Sequence, residues 1–211
     1  VFAYNSLGLN AYIVYYHSVE VDALNKMVEI VTKLDDKWLL AFTLFGQGRA
    51  TLTQEDFSKA RQVAEINLKI YQKIGDRIGS TMPMIVLGYV ALARGELESA
   101  REYYLRCLTI SQETGFYFAM QTASKYLCKV SISLGKLAEA EEYLLQSLTI
   151  TKEIGFVRDI INLLYETARL QAAQHNFERA VELLAQVIEH PASDRYRMLD
   201  GRIRDSANEL L

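Results

Sequence analysis

Apolar and small residues recur along the chain at a spacing of forty. Ala60, Ala100, Ala140 and Ala180 form one column, and Phe57, Leu97, Leu137 and Phe177 stand three residues before them. Ile30, Ile70, Ile110 and Ile150 hold the same phase, while Gly8, Gly48 and Gly88 form a small column that Cys128 and Ala168 continue. Within one unit, Leu97, Ala100, Tyr104, Cys107, Leu108 and Ser111 fall on one face of an α-helix, as do Met84, Leu87, Gly88 and Ala91 upstream. Short polar breaks separate the two stretches: Arg94-Gly95-Glu96, Leu134-Gly135-Lys136 and Gln174-His175-Asn176. Glycine just after the last periodic residue is a helix stop. Each unit therefore reads as a helical hairpin, and such repetition is the mark of a solenoid.

The pattern predicts first helices over about 1–14, 38–53, 78–94, 117–134 and 157–174, and second helices over about 19–34, 56–74, 97–114, 137–154 and 177–190. The hairpins thus occupy about 1–34, 38–74, 78–114, 117–154 and 157–190, within a single repeat domain covering 1–211. Pro191 stops the last helix, and about 195–211 is expected to form a solvated closing helix, with no sheet anywhere. Terminal repeats deviate because one face lacks a neighbour, and Glu20 stands where the first repeat needs its alanine. The small columns should let helices cross closely, with Ala100 facing Gly88 and Ala140 facing Cys128. Pro83 is expected in the first turn of its helix, capped by Ser80. Asn67 shares an inward column with Cys107, Ser147 and Val187, so it needs a carbonyl partner or marks an irregular repeat.

The residues Gly95-x-Leu97-x-x-Ala100, Gly135-x-Leu137-x-x-Ala140 and His175-x-Phe177-x-x-Ala180 resemble the inter-helix turn of the tetratricopeptide repeat (TPR) family. Leu87-Gly88 upstream, with Tyr104, Leu144 or Leu184 downstream of the alanine, adds to the likeness. The chain departs from that family in its forty-residue period, in lacking proline at the repeat ends, and in having Trp38 as its one tryptophan. The resemblance implies an all-α fold, a right-handed α-α superhelix of about five hairpins plus a capping helix. Forty-residue repeats with Gly-Asp-Arg or Gly-Phe junctions also look like the C-terminal repeat arrays of large bacterial transcription regulators and signalling ATPases. The start at Val1 fits a fragment of such a larger protein.

Composition narrows the function. Half of the 211 residues are apolar and 23% are charged, which suits a folded domain with a real core. A net charge of −3 argues against direct nucleic-acid contact from this segment. No export signal or spanning run is visible, and the expected location is cytoplasmic, without membrane contact. Cys107 and Cys128 are too few for a disulfide framework or a zinc site, and are expected to be reduced and buried.

No chemistry assembles. His17, His175 and His190 lie on separate units without ligand spacing, and His175 reads as a surface turn residue replacing glycine. The Gly75-Asp76-Arg77-Ile78-Gly79-Ser80 run lacks the lysine of a phosphate loop. Neither catalysis, metal nor cofactor is expected. What remains is the inner wall that the resemblance assigns to the first helices. There, one column reads Leu9, Arg49, Tyr89, Lys129 and Arg169, and a second reads Asn5, Phe45, Ile85, Lys125 and Tyr165. Cations interleaved with aromatics suit a carboxylate, a phosphate or an acidic peptide with hydrophobic anchors. Solvated cations and aromatics that fill gaps between adjacent first helices would give the same pattern. The leading expectation is a noncatalytic module that binds a protein or peptide segment in a concave groove. The alternatives are a domain that senses a small-molecule effector within a larger regulator, and an oligomerisation element.

Overall fold

The computed structural model describes residues 21–154, 157–190, 197–198, 201–202 and 207. The expected helix over 1–14, Glu20, the inner-column positions Asn5 and Leu9, Gly155 and Pro191 lie outside the described residues. Nine α-helices occur among the described residues: α1 (Val21–Lys33), α2 (Lys37–Thr53), α3 (Phe57–Lys73), α4 (Arg77–Ala93), α5 (Leu97–Thr114), α6 (Tyr117–Ser133), α7 (Leu137–Ile154), α8 (Val157–Ala173) and α9 (Phe177–Glu189). Their ends match the periodicity to within one or two residues. The chain forms two compact units, Val1–Ala123 and Ser124–Leu211, with the unit boundary falling inside α6.

One device ends most of these helices. After α2, Glu55 takes φ +60°, its N–H donates to Leu52 O at 3.0 Å, and the Asp56 N–H donates back to Thr51 O at 3.1 Å. The same pair of bonds closes the turns at Gly75, Gly95, Gly135 and His175. Left-handed residues stand at 35, 55, 75, 95, 115, 135 and 175, so the backbone repeats every twenty residues within the forty-residue pattern. The residue after the left-handed one then caps the next helix. Asp36, Asp56 and Asp76 each accept from the backbone N–H three residues on, of Leu39, Lys59 and Gly79, at 2.9, 3.0 and 2.8 Å. Glu96 and Asn176 hold the same place without a side-chain cap bond.

In the first unit, α4 packs between α3 and α5, and α2 also touches α4, so first helices stack on each other as well as on their partners. Gly88 is a close crossing: a Cβ there would stand 2.7 Å from the Tyr104 ring. The expected pairing of Ala100 with Gly88 is therefore a crossing in which Tyr104, fully buried, fills the space that Gly88 leaves. Trp38 stacks on Phe42 with centroids 5.6 Å apart and donates its Nε1–H to Asp76 Oδ2 at 3.1 Å. In the second unit, Cys128 and Ala140 do share one buried cluster, together with Leu144, Leu163 and Leu170.

Three expectations are corrected. Pro83 is not in a first turn: α4 begins at Arg77 with Asp76 as its cap, which places Pro83 inside the helix. The Asp76 cap wins, and Pro83 leaves the Gly79 carbonyl without its helical N–H partner. Gly79 also admits Tyr71, since a Cβ there would come 2.2 Å from that ring. Ser80 bonds back to Arg77 O at 2.6 Å and caps nothing. Within the expected closing helix, Arg197 and Met198 pair antiparallel with Arg202 and Gly201, a two-stranded ladder where no strand was expected. The Asp200-Gly201 pair is turn-forming and a poor helix interior, which favours the ladder. Ala207 is helical but fully buried rather than solvated, packed with Ile161, Tyr165, Ala168, Leu183, Leu184 and Val187.

Asn67 is also completely buried, and neither its Oδ1 nor its Nδ2 has a hydrogen-bond partner. Of the two outcomes expected for it, the carbonyl partner is not made.

Gly95→Ala and Gly135→Ala should each destabilise by about 1–2 kcal/mol although the added methyl meets nothing, because only the left-handed φ is penalised. Glu55→Gly should instead gain up to about 1 kcal/mol, and urea midpoints will read both signs. Gly88→Ala should cost about 1–3 kcal/mol by striking Tyr104. Gly48→Ala, whose methyl would sit 3.6 Å from Val86, should gain about 1 kcal/mol from helix propensity, which thermal melts would register.

Candidate functional site

The inner columns fall on α2, α4, α6 and α8, and the structure divides them by burial. Phe45, Ile85, Tyr89 and Tyr165 are buried, at 1, 6, 4 and 7% exposure. They are packing and not open anchors, and Tyr165 packs inside its own hairpin, against Leu183, Leu184 and Val187 of α9. Arg49, Lys125, Lys129 and Arg169 keep partial exposure. Arg49 belongs to the first unit, where its guanidinium lies 5.8 Å from the centroid of Phe45. Lys125, Lys129 and Arg169 belong to the second unit, where Lys125 Nζ lies 5.0 Å from the centroid of the Tyr126 ring.

Arg169 differs from the others. Its Nη1 donates to Glu166 Oε2 at 2.7 Å, with side-chain exposures of 18 and 5% for Arg169 and Glu166. Burial opposes the charged guanidinium, but the Glu166 carboxylate, joined by Tyr165 and Cys128, outweighs it and raises the Arg169 pKa above its ordinary value. Glu166 is a site residue that the sequence reading did not single out, although its spacing of three from Arg169 on one helix was visible. Asp159 and Asn162 are buried on the same helix, and Asn162 Oδ1 has no partner. Together they make the buried side of α8 unusually polar.

The outer helices α5 and α7 present the opposite charge. Glu141 and Glu142 on α7, and Glu98 and Glu102 on α5, are exposed. Arg61 on α3 pairs with Glu96 at 2.7 Å, and Arg77 at the start of α4 pairs with Glu113. His175 is exposed in its turn at φ +64°, as its glycine-like place implied. Among the described residues, no group of three or more His, Cys, Asp or Glu is placed to hold a metal ion. No helix among them is long and apolar enough to cross a membrane.

Both cysteines are buried and unbridged. The Cys107 Sγ lies 3.7 Å from Thr81 O and 3.9 Å from Ala119 O. Burial pushes the Cys107 thiol up to about 12, with Ser111 acting weakly the other way. Burial and the Glu166 charge push Cys128 up to about 12 as well, against Arg169. The folded state therefore holds both protons where the unfolded chain releases them. Stability should be flat below the unfolded thiol pKa and should fall as pH rises from about 9 toward 12. Thiol labelling of the native protein should be slow at pH 8 and accelerate with denaturant; rapid native labelling at pH 8 would contradict the burial.

A comparison with curated proteins finds no significant match. Solved structures do match in fold. BtubC (BKLC) from P. vanneervenii superposes with a TM-score of 0.67 at 19% identity, over 80% of this chain and 70% of that one. TPR-like repeats of Podosopora anserina assigned to a kinesin light chain superpose with a TM-score of 0.59 at 20% identity, over 88 and 92% of the two chains. A point variant of those Podosopora anserina repeats gives 0.61 at 19% identity, over 92 and 95%. These likenesses show a TPR-like solenoid fold. The family model described as MalT-like TPR region matches residues 2–207.

Proposed function

The chain belongs to the MalT-like TPR region family, and from that premise we propose that it is a noncatalytic interaction module of a larger regulator. TPR-like repeats are typically interaction or regulatory modules, and in general noncatalytic scaffolds. In the second unit, the first-helix cations Lys125, Lys129 and Arg169 receive an acidic segment of a partner protein. One observation carries this reading: these cations are partly exposed on first helices, whereas the exposed carboxylates Glu141 and Glu142 lie on a second helix. An anion approaching the first-helix side meets attraction, and one approaching the outer side meets repulsion. The buried state of Tyr165 removes it as an exposed hydrophobic anchor, so charge and hydrogen bonding must dominate recognition.

The family match favours a second reading, in which the domain senses a small-molecule effector. Native mass spectrometry of the purified chain would show a retained molecule in that case.

Reversal of Arg169 would leave buried Glu166 without its counter-charge and destabilise the fold, so it is a poor test. Lys125→Glu with Lys129→Glu is the better one. That pair should weaken binding of a hexaglutamate peptide by about tenfold or more and shift the thermal midpoint little. Reversal of Lys152 on α7 and Arg101 on α5 should have a smaller effect. Equal losses from the two pairs, read by fluorescence anisotropy, would show that net charge alone matters.

A further inference from the structure

Asn67, in the middle of α3, is completely buried, and neither end of its amide has a hydrogen-bond partner among the described residues. A buried amide is costly to leave in that state. The forty-residue repeat identifies its surroundings. Cys107 holds the same place one hairpin later, and its Sγ lies 3.7 Å from Thr81 O on α4 and 3.9 Å from Ala119 O on α6. Forty residues earlier, these three positions are Asn67, Ala41 on α2 and Gly79 on α4.

A second observation gives the same neighbour. Tyr71, one turn along α3 from Asn67, fills the space beside Gly79, where a Cβ would stand 2.2 Å from its ring. Helices α3 and α4 pack antiparallel across a short turn. One turn back on α3, from Tyr71 to Asn67, is therefore one turn forward on α4, from Gly79 to Pro83. Helical carbonyls point toward the C-terminus, so the Gly79 carbonyl is aimed at the level of Asn67.

That carbonyl is the one from which Pro83 withholds an N–H. Two irregularities of the first unit thus meet, a buried amide with nothing to bond and a helix carbonyl short of a donor. Asn67 Nδ2 does not donate to Gly79 O directly. Water fits the chemistry of the pair. By donating one O–H to Gly79 O and the other to Asn67 Oδ1, and accepting from Nδ2, a single molecule makes three bonds, the usual number for a buried water. The next hairpin has no such need, because Ala123 stands where Pro83 does and keeps an N–H for Ala119.

We propose that Asn67 and the Gly79 carbonyl hold one buried water between α3 and α4, which supplies the hydrogen bond that Pro83 removes. Asparagine at 67 and proline at 83 are then a single feature, and the first turns of α4 are secured from α3 as well as by the Asp76 cap. The site takes water and no larger or charged ligand, since Asn67, Tyr71 and Pro83 around it are all buried and none carries a charge.

The test uses the whole chain. A crystal structure at about 1.5 Å should show an oxygen at about 2.7–3.2 Å from both Gly79 O and the Asn67 amide. In solution, the Asn67 side-chain N–H protons of the nitrogen-15-labelled chain should give water cross-peaks of the same sign as the diagonal in a NOESY spectrum, the mark of a water that stays bound while the protein tumbles. A double-substitution cycle reads the link between the two residues. Pro83→Ala returns an N–H to Gly79 O, whereas in the wild type Asn67→Val strips that carbonyl of its donor. Asn67→Val, which takes the residue type of Val187, should therefore shift the urea midpoint further upward in the Pro83→Ala background than in the wild type. Density with Nδ2 bonded straight to Gly79 O, or with no oxygen between them, would overturn the inference, as would equal midpoint shifts in the two backgrounds. If either variant fails to fold, the wild-type density and cross-peaks decide.

Discussion

The architecture depends on how a helix is stopped and restarted in three residues. A left-handed residue reverses the chain, the two N–H groups at the stop satisfy the last carbonyls of the finished helix, and the second of those residues caps the next helix. In α2, α3 and α4 an aspartate at that place closes the circuit with its side chain. Several of the backbone groups that a helix end orphans are thus satisfied within the join. A loop this short has no slack. Successive helices must run antiparallel and in contact, and the apolar faces follow from the join instead of having to find each other. Asp76 extends the logic beyond its own turn: Oδ1 caps α4 while Oδ2 accepts from Trp38 at the start of α2. Fraying the start of α4 and loosening the second hairpin from the third are therefore one event.

Helix positions were legible because burial on one face forces a helical period, and glycines at φ near +70° mark the stops. The stops at Asp35 and Glu55 carry no glycine, and only their phase with Gly75 reveals them. The repeat of caps, and not the preference of proline for a first turn, sets where Pro83 falls. The aspartates at 36, 56 and 76 recur every twenty residues and put the start of α4 at 77. The energy of one capped, fully bonded turn outweighs a single missing bond at Gly79. The ladder of 197–198 with 201–202 leaves no mark in the pattern because four residues carry no measurable period.

The candidate site was less legible for a different reason. Helical phase says which way a side chain leaves its own hairpin, and nothing about what the adjacent helix places over it. Phe45, Ile85, Tyr89 and Tyr165 satisfied the phase criterion and are buried all the same. Arg169 counted as one more cation in a column, yet its neighbour Glu166 already pairs with it. Charge read by column sums over the pairings that decide how each charge behaves.

The twenty-residue rhythm of the backbone also constrains how such an array can change its length. Most helices carry the same stop, so the chain could be cut or extended at those joins without breaking a turn. Packing is stricter than the turns. First helices carry the small column at Gly48, Gly88, Cys128 and Ala168, and second helices answer with Ala60, Ala100, Ala140 and Ala180. Adding one helix would set two helices of the same kind face to face, and a small residue would lose the partner that fills its space, as Tyr104 fills the space at Gly88. Adding two restores every pairing. Growth or loss in this array therefore comes in steps of a whole hairpin, and each step lengthens the row of first helices by one without altering the neighbours already in place.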